Sequence, residues 1–306
     1  MILIADSGST KTDWTLINFP HPGQSDIVAT FHTQGINPVH QEPDVIRHIL
    51  GHELMSQLST FPRGALVNSR VLETPLLSQL SVFFYGSGCT PVHAPRMKQM
   101  LSEVFTPQQI EVHSDLTAAA RALCGRQPGV ACILGTGSNS CLYDGNDIVA
   151  NTPALGYVLG DEGSGSVLGR KFLNALYKGR LPESLKTAFE QETKLTQASV
   201  IQHVYREPLA NRFLASLSLF ISNHLDEPLL RTLVIDNFRE FLQNNVAPYR
   251  KHSEYHADSL PVSFVGSMAQ YYESELREAA GLEGFTVGVV MKSPMEGLVR
   301  YHSEHA

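Results

Sequence analysis

The chain has 306 residues, enough for two ordinary domains that each bury a core. Hydrophobic residues make up 42% and charged residues 17%, which is a globular composition and excludes a disordered protein. The formal net charge is −7, and no cluster of Lys and Arg is longer than a pair such as Arg170-Lys171, so the sequence argues against a nucleic-acid partner and favours a small-molecule ligand.

The first half of the chain predicts three strands followed by alternating helices and strands. Residues 2–5 (ILIA) form a short apolar run that ends in a polar, Gly-containing turn, which indicates a buried strand. Residues 14–17 predict the returning strand of a hairpin, and a third strand is expected near residues 27–32. A helix is expected after Pro43, where apolar residues recur at helical spacing. The further predicted elements are a strand over 82–85, a helix over 95–105 and a strand over 110–113.

A similar pattern begins again at residue 130. An apolar strand over 130–134 leads into a turn over 135–139 (GTGSN) and a return strand over 140–143. Because both halves open with this strand-then-turn shape, we infer one duplication of an α/β unit, with the two turns lining a cleft between the copies. The remaining predicted elements are a helical scaffold over 181–255, strands over 260–265 and 285–290, a helix to about residue 280 and a helical tail over 293–301.

The start of the chain and its cysteines carry no targeting or redox signal. Residues 1–6 lack a basic segment, and no apolar run approaches 18 residues, so we expect a cytoplasmic protein without a membrane partner. The cysteines have no C-x-x-C spacing, and we expect them to be reduced, small hydrophobic side chains of the core. They are Cys89, Cys124, Cys132 and Cys141.

Two turns could bind phosphate. In residues 6–13 (DSGSTKTD), backbone N–H groups at a Gly-containing turn could bind an anion, Lys11 adds a positive charge, and Asp6 could hold Mg²⁺ through water. The alternative is an ordinary hairpin tip made of turn residues. Residues 135–139 form neither a Walker A loop nor a Rossmann fingerprint, and the turn is a weak signal alone. Two equivalent turns, however, could bind one polyphosphate from both sides.

Two acidic segments could catalyse a reaction or bind a polyol. Asp115 lies between a predicted strand and an Ala-rich helix, so it is either a catalytic base or a helix cap, and the sequence alone favours neither. Residues 156–166 (GYVLGDEGSGS) place adjacent acids between glycines, just before a helix that begins near Ser166. Adjacent carboxylates suit recognition of a polyol's hydroxyl groups, whereas a plain solvated turn fits the density of glycine poorly.

Five segments in order resemble the N-acetylglucosamine kinase family, in the BadF/BadG/BcrA/BcrD-type branch of the sugar kinase, heat-shock chaperone and actin superfamily. They are residues 6–13, 114–115, 134–139, 156–164 and 265–267. The resemblance runs from residue 2 to roughly residue 300. It implies an α/β fold with two duplicated ribonuclease H-like (actin-like ATPase) domains flanking an interdomain cleft. We expect domains over 1–112 and 113–291, with the tail 292–306 packing back on the first.

The resemblance also implies a reaction and its residues: a kinase that uses ATP and Mg²⁺ to phosphorylate the 6-hydroxyl of an N-acetylhexosamine. Asp115 matches the family's base, and Asp6 would hold the metal through water. The residues assigned to the nucleotide are Asp6, Gly8, Thr10, Lys11, Thr136, Gly137, Gly266 and Ser267. Those assigned to the sugar are Asn37, Ser138, Asn139, Asp161 and Glu162.

Alternatives remain open at this point. The sugar could be N-acetylglucosamine, N-acetylmuramic acid or glucosamine, and a homodimer is compatible with the sequence. Ser7 stands where the family commonly has glycine, and Tyr157 where a His or a small residue is more usual. The same fold could serve an ATPase that activates a partner dehydratase through a shared iron–sulfur cluster, but the cysteines lack suitable surroundings. It could also serve a non-catalytic sugar sensor, against which the retained acids and turns argue.

Overall fold

The computed structural model of the chain separates into two compact units, one formed by residues 1–125 and 294–306 and the other by residues 126–293. The structure describes residues 1–8, 10–21, 24–60, 80–105, 109–255, 257 and 259–304. Ser9, a member of the first predicted phosphate turn, lies outside the described residues. Among the described residues, no helix has the length and apolar character that a membrane span requires.

The first unit contains a five-stranded mixed sheet in the order β3-β2-β1-β4-β5. The first three strands are antiparallel neighbours, whereas β4 and β5 run parallel to β1. The strands are β1 (Ile2–Ser7), β2 (Lys11–His21), β3 (Gln24–Gln34), β4 (Ser81–Gly86) and β5 (Gln109–Ser114). The helices are α1 (Pro43–His48), which continues through a π-helical turn (Ile49–Leu54) into α2 (Met55–Thr60), and α3 (Ala94–Val104), α4 (Asp115–Cys124) and α14 (Met295–Ser303).

Helices cover both faces of this sheet, which explains why β1 is apolar without alternation. Leu3 and Ala5 pack in the larger core together with residues of α1 and α3. Ile4 points to the opposite face, where it packs with alanines of α4 and with Leu298 of α14. All three side chains are fully buried. The end of β1 is therefore held rigidly, and it carries the first polar turn.

The second unit repeats the sheet order, here β8-β7-β6-β9-β10, with the same pattern of antiparallel and parallel neighbours. This identity of topology confirms the predicted duplication of an α/β unit. The third strand, β8, is not among the elements predicted from the sequence. The strands are β6 (Gly129–Leu134), β7 (Ser138–Tyr143), β8 (Ile148–Thr152), β9 (Val262–Val265) and β10 (Val287–Met291).

The helices of the second unit form a scaffold around a core of aromatic side chains. Phe172, Phe189 and Phe220 contact one another with ring centroids 5.2 to 5.7 Å apart. Beyond α11 the chain continues through a π-helical turn (Leu242–Val246) and two short 3-10 helices (Ala247–Lys251, Ser253–Tyr255). The α-helices are α5 (Gly156–Leu159), α6 (Gly165–Tyr177), α7 (Glu183–Thr193), α8 (Gln197–Tyr205), α9 (Ala210–Ser216), α10 (Ser218–Ser222), α11 (Pro228–Phe241), α12 (Ser267–Tyr271) and α13 (Glu273–Leu282).

The helices α4 and α14 both belong to the first unit. The compact unit therefore extends past residue 112, where we place the domain boundary from the sequence, and its first segment ends at Gly125. The guanidinium of Arg300 donates to the carbonyl oxygen of Ala122 at 3.2 Å, which ties α14 to the end of α4. The C-terminal helix thus completes the core that buries Ile4.

Candidate active site

The first hairpin carries the carboxylates of Asp6 and Asp13, and Asp115 at the start of α4 acts on Asp6 through its charge. Asp6, at the end of β1, lies opposite Asp13 of β2. Burial, with smaller contributions from the charges of Asp13 and Asp115, raises the pKa of Asp6 to about 7, and the charge of Lys11 partly opposes this shift. Among the described residues, no three His, Cys, Asp or Glu side chains come close enough to coordinate a metal ion directly. Mg²⁺ keeps most of its waters and needs only one or two carboxylates, and the negative charge around Asp6 favours such a hydrated cation. Asp6 therefore fits a metal held through water, as expected, and not a metal coordinated by several side chains.

The tip of this hairpin is more fully bonded than the sequence suggests. The N–H of Gly8 donates to the carbonyl oxygen of Lys11 at 3.0 Å, so it closes the turn. The Lys11 ammonium lies 2.8 Å from Asp13 Oδ2, and His32 Nδ1 lies 2.7 Å from the other oxygen, Oδ1. Lys11 and Thr10 are exposed, so their side chains can still reach a phosphate.

Asp115 is the first residue of α4, directly after β5. The cap of this helix is Ser114, whose Oγ accepts a hydrogen bond from the N–H of Thr117 at 3.1 Å. Asp115 Oδ1 accepts the N–H of Leu116 at 2.9 Å. Burial raises the pKa of Asp115, and this backbone N–H partly opposes the shift. The capping role is therefore taken by Ser114, and Asp115 remains available as a base.

Asn37 lies in the loop after β3, beside the turn that follows β4. Gly88 in that turn has φ = +80°, and a Cβ atom there would lie 2.3 Å from Asn37 Oδ1. Both the backbone conformation and the close contact require glycine. The turn after β4, which the sequence analysis treated only as a strand end, thus fixes the position of a predicted sugar ligand.

The second hairpin is held by the start of α6. The N–H of Gly165 donates to the carbonyl oxygen of Gly135 at 2.8 Å, and that of Ser166 to Thr136 at 3.2 Å. Thr136 and Gly137 lie at the tip, as expected, and both are partly exposed. These bonds fix the hairpin tip against the helix.

Ser138 and Asn139 lie in β7 and not in the turn, which corrects the prediction of a turn over 135–139. Ser138 is buried with 6% of its surface exposed. Asn139 Oδ1 accepts from the N–H of Ser140 and from Asn151 Nδ2, each at 2.9 Å. The hydrogen-bonded pairing of β6 and β7 continues to Leu134 and Ser138. Strand pairing therefore places Ser138 and Asn139 in β7, although local turn propensity places them in the turn.

The acidic turn lies against the second hairpin. The carboxylate of Asp161 accepts the backbone N–H groups of Ser138 and Gly156, and a Cβ on Gly137 would lie 3.0 Å from Asp161 Oδ2. Asp161 has φ = 56°, an uncommon backbone conformation for a residue other than glycine. Burial raises its pKa to about 6, with a further contribution from the charge of Glu162. The turn is therefore a strained, ordered structure rather than a solvated loop.

Two asparagines that the sequence analysis missed hold Glu162. Asn244 Nδ2 donates to Glu162 Oε1 at 3.3 Å, and Asn245 Nδ2 donates to Oε2 at 3.2 Å. Both lie in the π-helical turn Leu242–Val246, and such turns occur often at functional sites. Consecutive asparagines inside a helical segment, where their propensity is low, were the available signal.

Gly266 and Ser267 lie beside the end of β6. Gly266 has φ = +127°, and a Cβ there would lie 2.2 Å from the carbonyl oxygen of Leu134, so only glycine allows this approach. Ser267 is exposed at the start of α12. The structure thus brings the predicted adenosine turn next to the second hairpin within one unit.

The cysteines are unsuited to an iron–sulfur cluster. Cys89, Cys132 and Cys141 are buried. Burial raises the pKa of Cys89 and of Cys124 to about 12, which keeps both as neutral thiols. A cluster shared with a partner needs exposed cysteines, so the burial of three of the four argues against the dehydratase-activator alternative.

Two sheets with one strand order, each carrying a polar hairpin, define the fold of sugar kinases and actin-like ATPases. No family model and no curated protein matches the chain. It is similar to a crystal structure of a candidate N-acetylglucosamine kinase from Porphyromonas gingivalis, with 46% identity and a TM-score of 0.86 over 100% of this chain and 99% of that one. The chain therefore belongs to the N-acetylglucosamine kinase family.

More distant structures agree with the fold. A candidate N-acetylglucosamine kinase from Chromobacterium violaceum has 20% identity and a TM-score of 0.68, with 98% of both chains covered. A ROK hexokinase from Thermus thermophilus has 15% identity and a TM-score of 0.50, with 98% of this chain and 96% of that chain covered. At these identities the likeness concerns architecture alone, and it agrees with the α/β fold of two actin-like units.

Proposed function

We propose that the protein is an ATP-dependent kinase that phosphorylates the 6-hydroxyl of an N-acetylhexosamine, with N-acetylglucosamine as the first substrate to test. The observation that carries this proposal is the pair of Asp115 and Asp6. Asp115 is a partly buried carboxylate, and its charge acts on Asp6, the carboxylate assigned to the metal. Family membership supports the choice of an amino sugar. Catalysis of phosphoryl transfer requires alignment, charge neutralisation and a group that accepts a proton.

Asp115 serves as the base in this mechanism. Its Oδ1 accepts the N–H of Leu116, so Oδ2 accepts the proton of the sugar hydroxyl. The hydroxyl oxygen bonds to the γ-phosphorus while the bond from this phosphorus to the β–γ bridging oxygen breaks, and ADP leaves. The raised pKa of Asp115 makes its carboxylate a stronger base than that of an exposed Asp. Asp6 would hold Mg²⁺ through water, and the bound ion would neutralise charge on the phosphates. Lys11 and Thr10 contact phosphate oxygens from the first hairpin.

In this proposal the second unit contributes contacts to the nucleotide and to the sugar. Thr136 and Gly137 approach the phosphates, and Gly266 and Ser267 border the adenosine. Asp161 and Glu162 accept hydrogen bonds from sugar hydroxyls, as carboxylates held in place by backbone and amide donors can do with little reorganisation. The remaining sugar contacts are assigned to Asn37, Ser138 and Asn139.

A coupled ADP-release assay across a panel of sugars tests this proposal. The panel contains N-acetylglucosamine, N-acetylmannosamine, N-acetylmuramic acid, anhydro-N-acetylmuramic acid, glucosamine and glucose. We expect Mg²⁺-dependent ADP release with at least one N-acetylated sugar, and ³¹P NMR of the product should show a phosphate ester at the 6-position. Sugar binding without ADP release would identify a sensor and overturn the kinase assignment.

A further inference from the structure

The loop of residues 35–37 is held by Ser7 at its middle residue. Ser7 Oγ accepts the N–H of Ile36 at 2.9 Å and lies 3.0 Å from the carbonyl oxygen of Ile36, to which it can donate. It also lies 2.7 Å from Thr12 Oγ1. Ser7 is fully buried at the end of β1. A glycine at this position would leave both backbone groups of Ile36 without these bonds, so the hydroxyl ties the loop to the first hairpin.

Gln41 holds the two outer residues of the loop. Its Nε2 donates to the carbonyl oxygen of Gly35 at 2.9 Å, and its Oε1 accepts the N–H of Asn37 at 2.8 Å. The N–H of Gly35 donates to Thr10 at 3.1 Å, and the carbonyl oxygen of Asn37 accepts the N–H groups of His40 and Gln41. Every backbone N–H and C=O group of the loop is therefore bonded, so the loop is preorganised.

These bonds leave one polar group of the Asn37 side chain for a ligand. The N–H of Val39 donates to Asn37 Oδ1 at 3.0 Å, and because an N–H cannot accept, the atom facing it must be the oxygen. Within the described part of the chain, no protein atom accepts a hydrogen bond from Asn37 Nδ2. The absence of a Cβ on Gly88 makes the space in which this carboxamide sits.

We propose that Ser7 and Gln41 are positioning residues, which fix the Asn37 carboxamide so that Nδ2 donates to an acceptor oxygen of the substrate. This inference rests on the proposed sugar kinase function. The partner of Asn37 is a hydroxyl or acyl carbonyl oxygen. A protonated amine cannot take that place, because it carries donors only. The same bonds join the sugar loop to the first hairpin, since Ser7 directly follows Asp6.

The Gln41→Ala variant tests the proposal in steady-state kinetics with the best sugar of the panel. We expect the sugar KM to rise roughly three- to tenfold, the loss typical of one correctly placed hydrogen bond, while kcat and the ATP KM change less than about twofold. Gln57→Ala is the matched control, because Gln57 also bonds both backbone groups of one residue, His32, in the same unit. Its sugar KM should stay at the wild-type value.

A double-mutant cycle separates positioning from general destabilisation. Asn37→Ala should raise the sugar KM at least as much as Gln41→Ala, and adding Gln41→Ala to it should have little further effect, since Gln41 acts through Asn37. Ser7→Ala should raise the sugar KM in the same way. Additive effects, or equal effects of Gln41→Ala and Gln57→Ala, would overturn the inference while leaving the kinase intact. A wild-type protein that releases no ADP with any sugar would instead overturn the proposed function, and with it this inference.

Discussion

Asp115 has a partly buried carboxylate and begins a helix that the side chain of Ser114 caps. Asp115→Asn keeps the acceptor oxygen for the N–H of Leu116, and Ser114 still caps α4, so stability should change little. The variant cannot accept a proton, so kcat should fall by about 10² to 10⁴, with the low end expected for a loose transition state. Steady-state kinetics should show a smaller change in the sugar KM and almost none in MgATP binding.

Ser114→Ala is the contrasting variant. Loss of the cap should lower the free energy of unfolding by about 1 kcal/mol, while kcat falls far less than in Asp115→Asn. Thermal melts and kinetics on both variants separate the two roles. An Asp115→Asn protein that keeps more than about a tenth of the wild-type kcat is incompatible with a catalytic base.

Asp6 should make the metal-free protein less stable as the pH rises. Its folded pKa, about 7, lies above the unfolded value of 3.8, so the folded state holds the proton more tightly, and stability falls as the pH rises from about 4 to about 7. In EDTA, Asp6→Asn should therefore be more stable than the wild type by about 1–3 kcal/mol at pH 8, with a smaller gain at pH 5. Melting curves at both pH values measure this.

The exposed residue Asp44 offers a control, since 95% of its side chain is accessible. Asp44→Asn should show no gain that grows with pH. A pH-independent difference between Asp6→Asn and the wild type would mean that Asp6 is ionised freely in the folded protein. The same substitution should abolish MgATP-dependent activity if Asp6 orients the metal's water.

The acidic turn between α5 and α6 should control sugar affinity through the charge of Asp161. With a pKa of about 6, its carboxylate ionises as the pH rises through that value, so the sugar KM should fall from pH 5 to pH 7. Asp161→Asn tolerates the positive φ but lacks the charge. It should raise the sugar KM about tenfold at pH 7, flatten this pH dependence and leave the ATP KM nearly unchanged.

Asp161→Ala serves as the comparison, because it also removes acceptors of the N–H groups of Ser138 and Gly156 and places alanine at φ = 56°. It should lose stability in addition to sugar affinity. If Asp161→Asn weakens sugar and ATP equally, the turn is a structural support of the second hairpin and not a sugar ligand.

Local patterns predict most of these elements, and long-range contacts account for what they miss. The apolar runs and turn residues of β1 and β6 depend on neighbours in sequence, so periodicity finds them. Ser138 extends β7 only because it pairs with Leu134. The contact of Glu162 with Asn245 joins residues 83 positions apart, which no local pattern reports. The cap of α4 at Ser114 could have been predicted from the sequence, because Ser is a favoured N-cap residue.

Duplication of the α/β unit is the property of the whole chain that the sequence reveals best. The strand and turn at residues 2–10 and at 130–139 predict two related units, and both sheets have the same strand order. The extent of the first compact unit was harder to predict. The alanines of α4 pack under Ile4 and Leu298, and the latter lies near the other end of the chain, so the assignment of α4 depends on tertiary packing.

Binding of MgATP should stabilise the whole molecule, since a ligand that binds only the folded state raises the free energy of unfolding by mass action. At 100 times its Kd, MgATP should add about 2.7 kcal/mol, which corresponds to several degrees in Tm. Differential scanning fluorimetry with millimolar MgATP measures the shift, and ATP in EDTA is the control that should give a smaller one. Asp115→Asn should keep the full shift, because its substitution removes a base and no nucleotide contact. Absence of any shift in the wild type, with or without sugar, would contradict the proposed binding of MgATP.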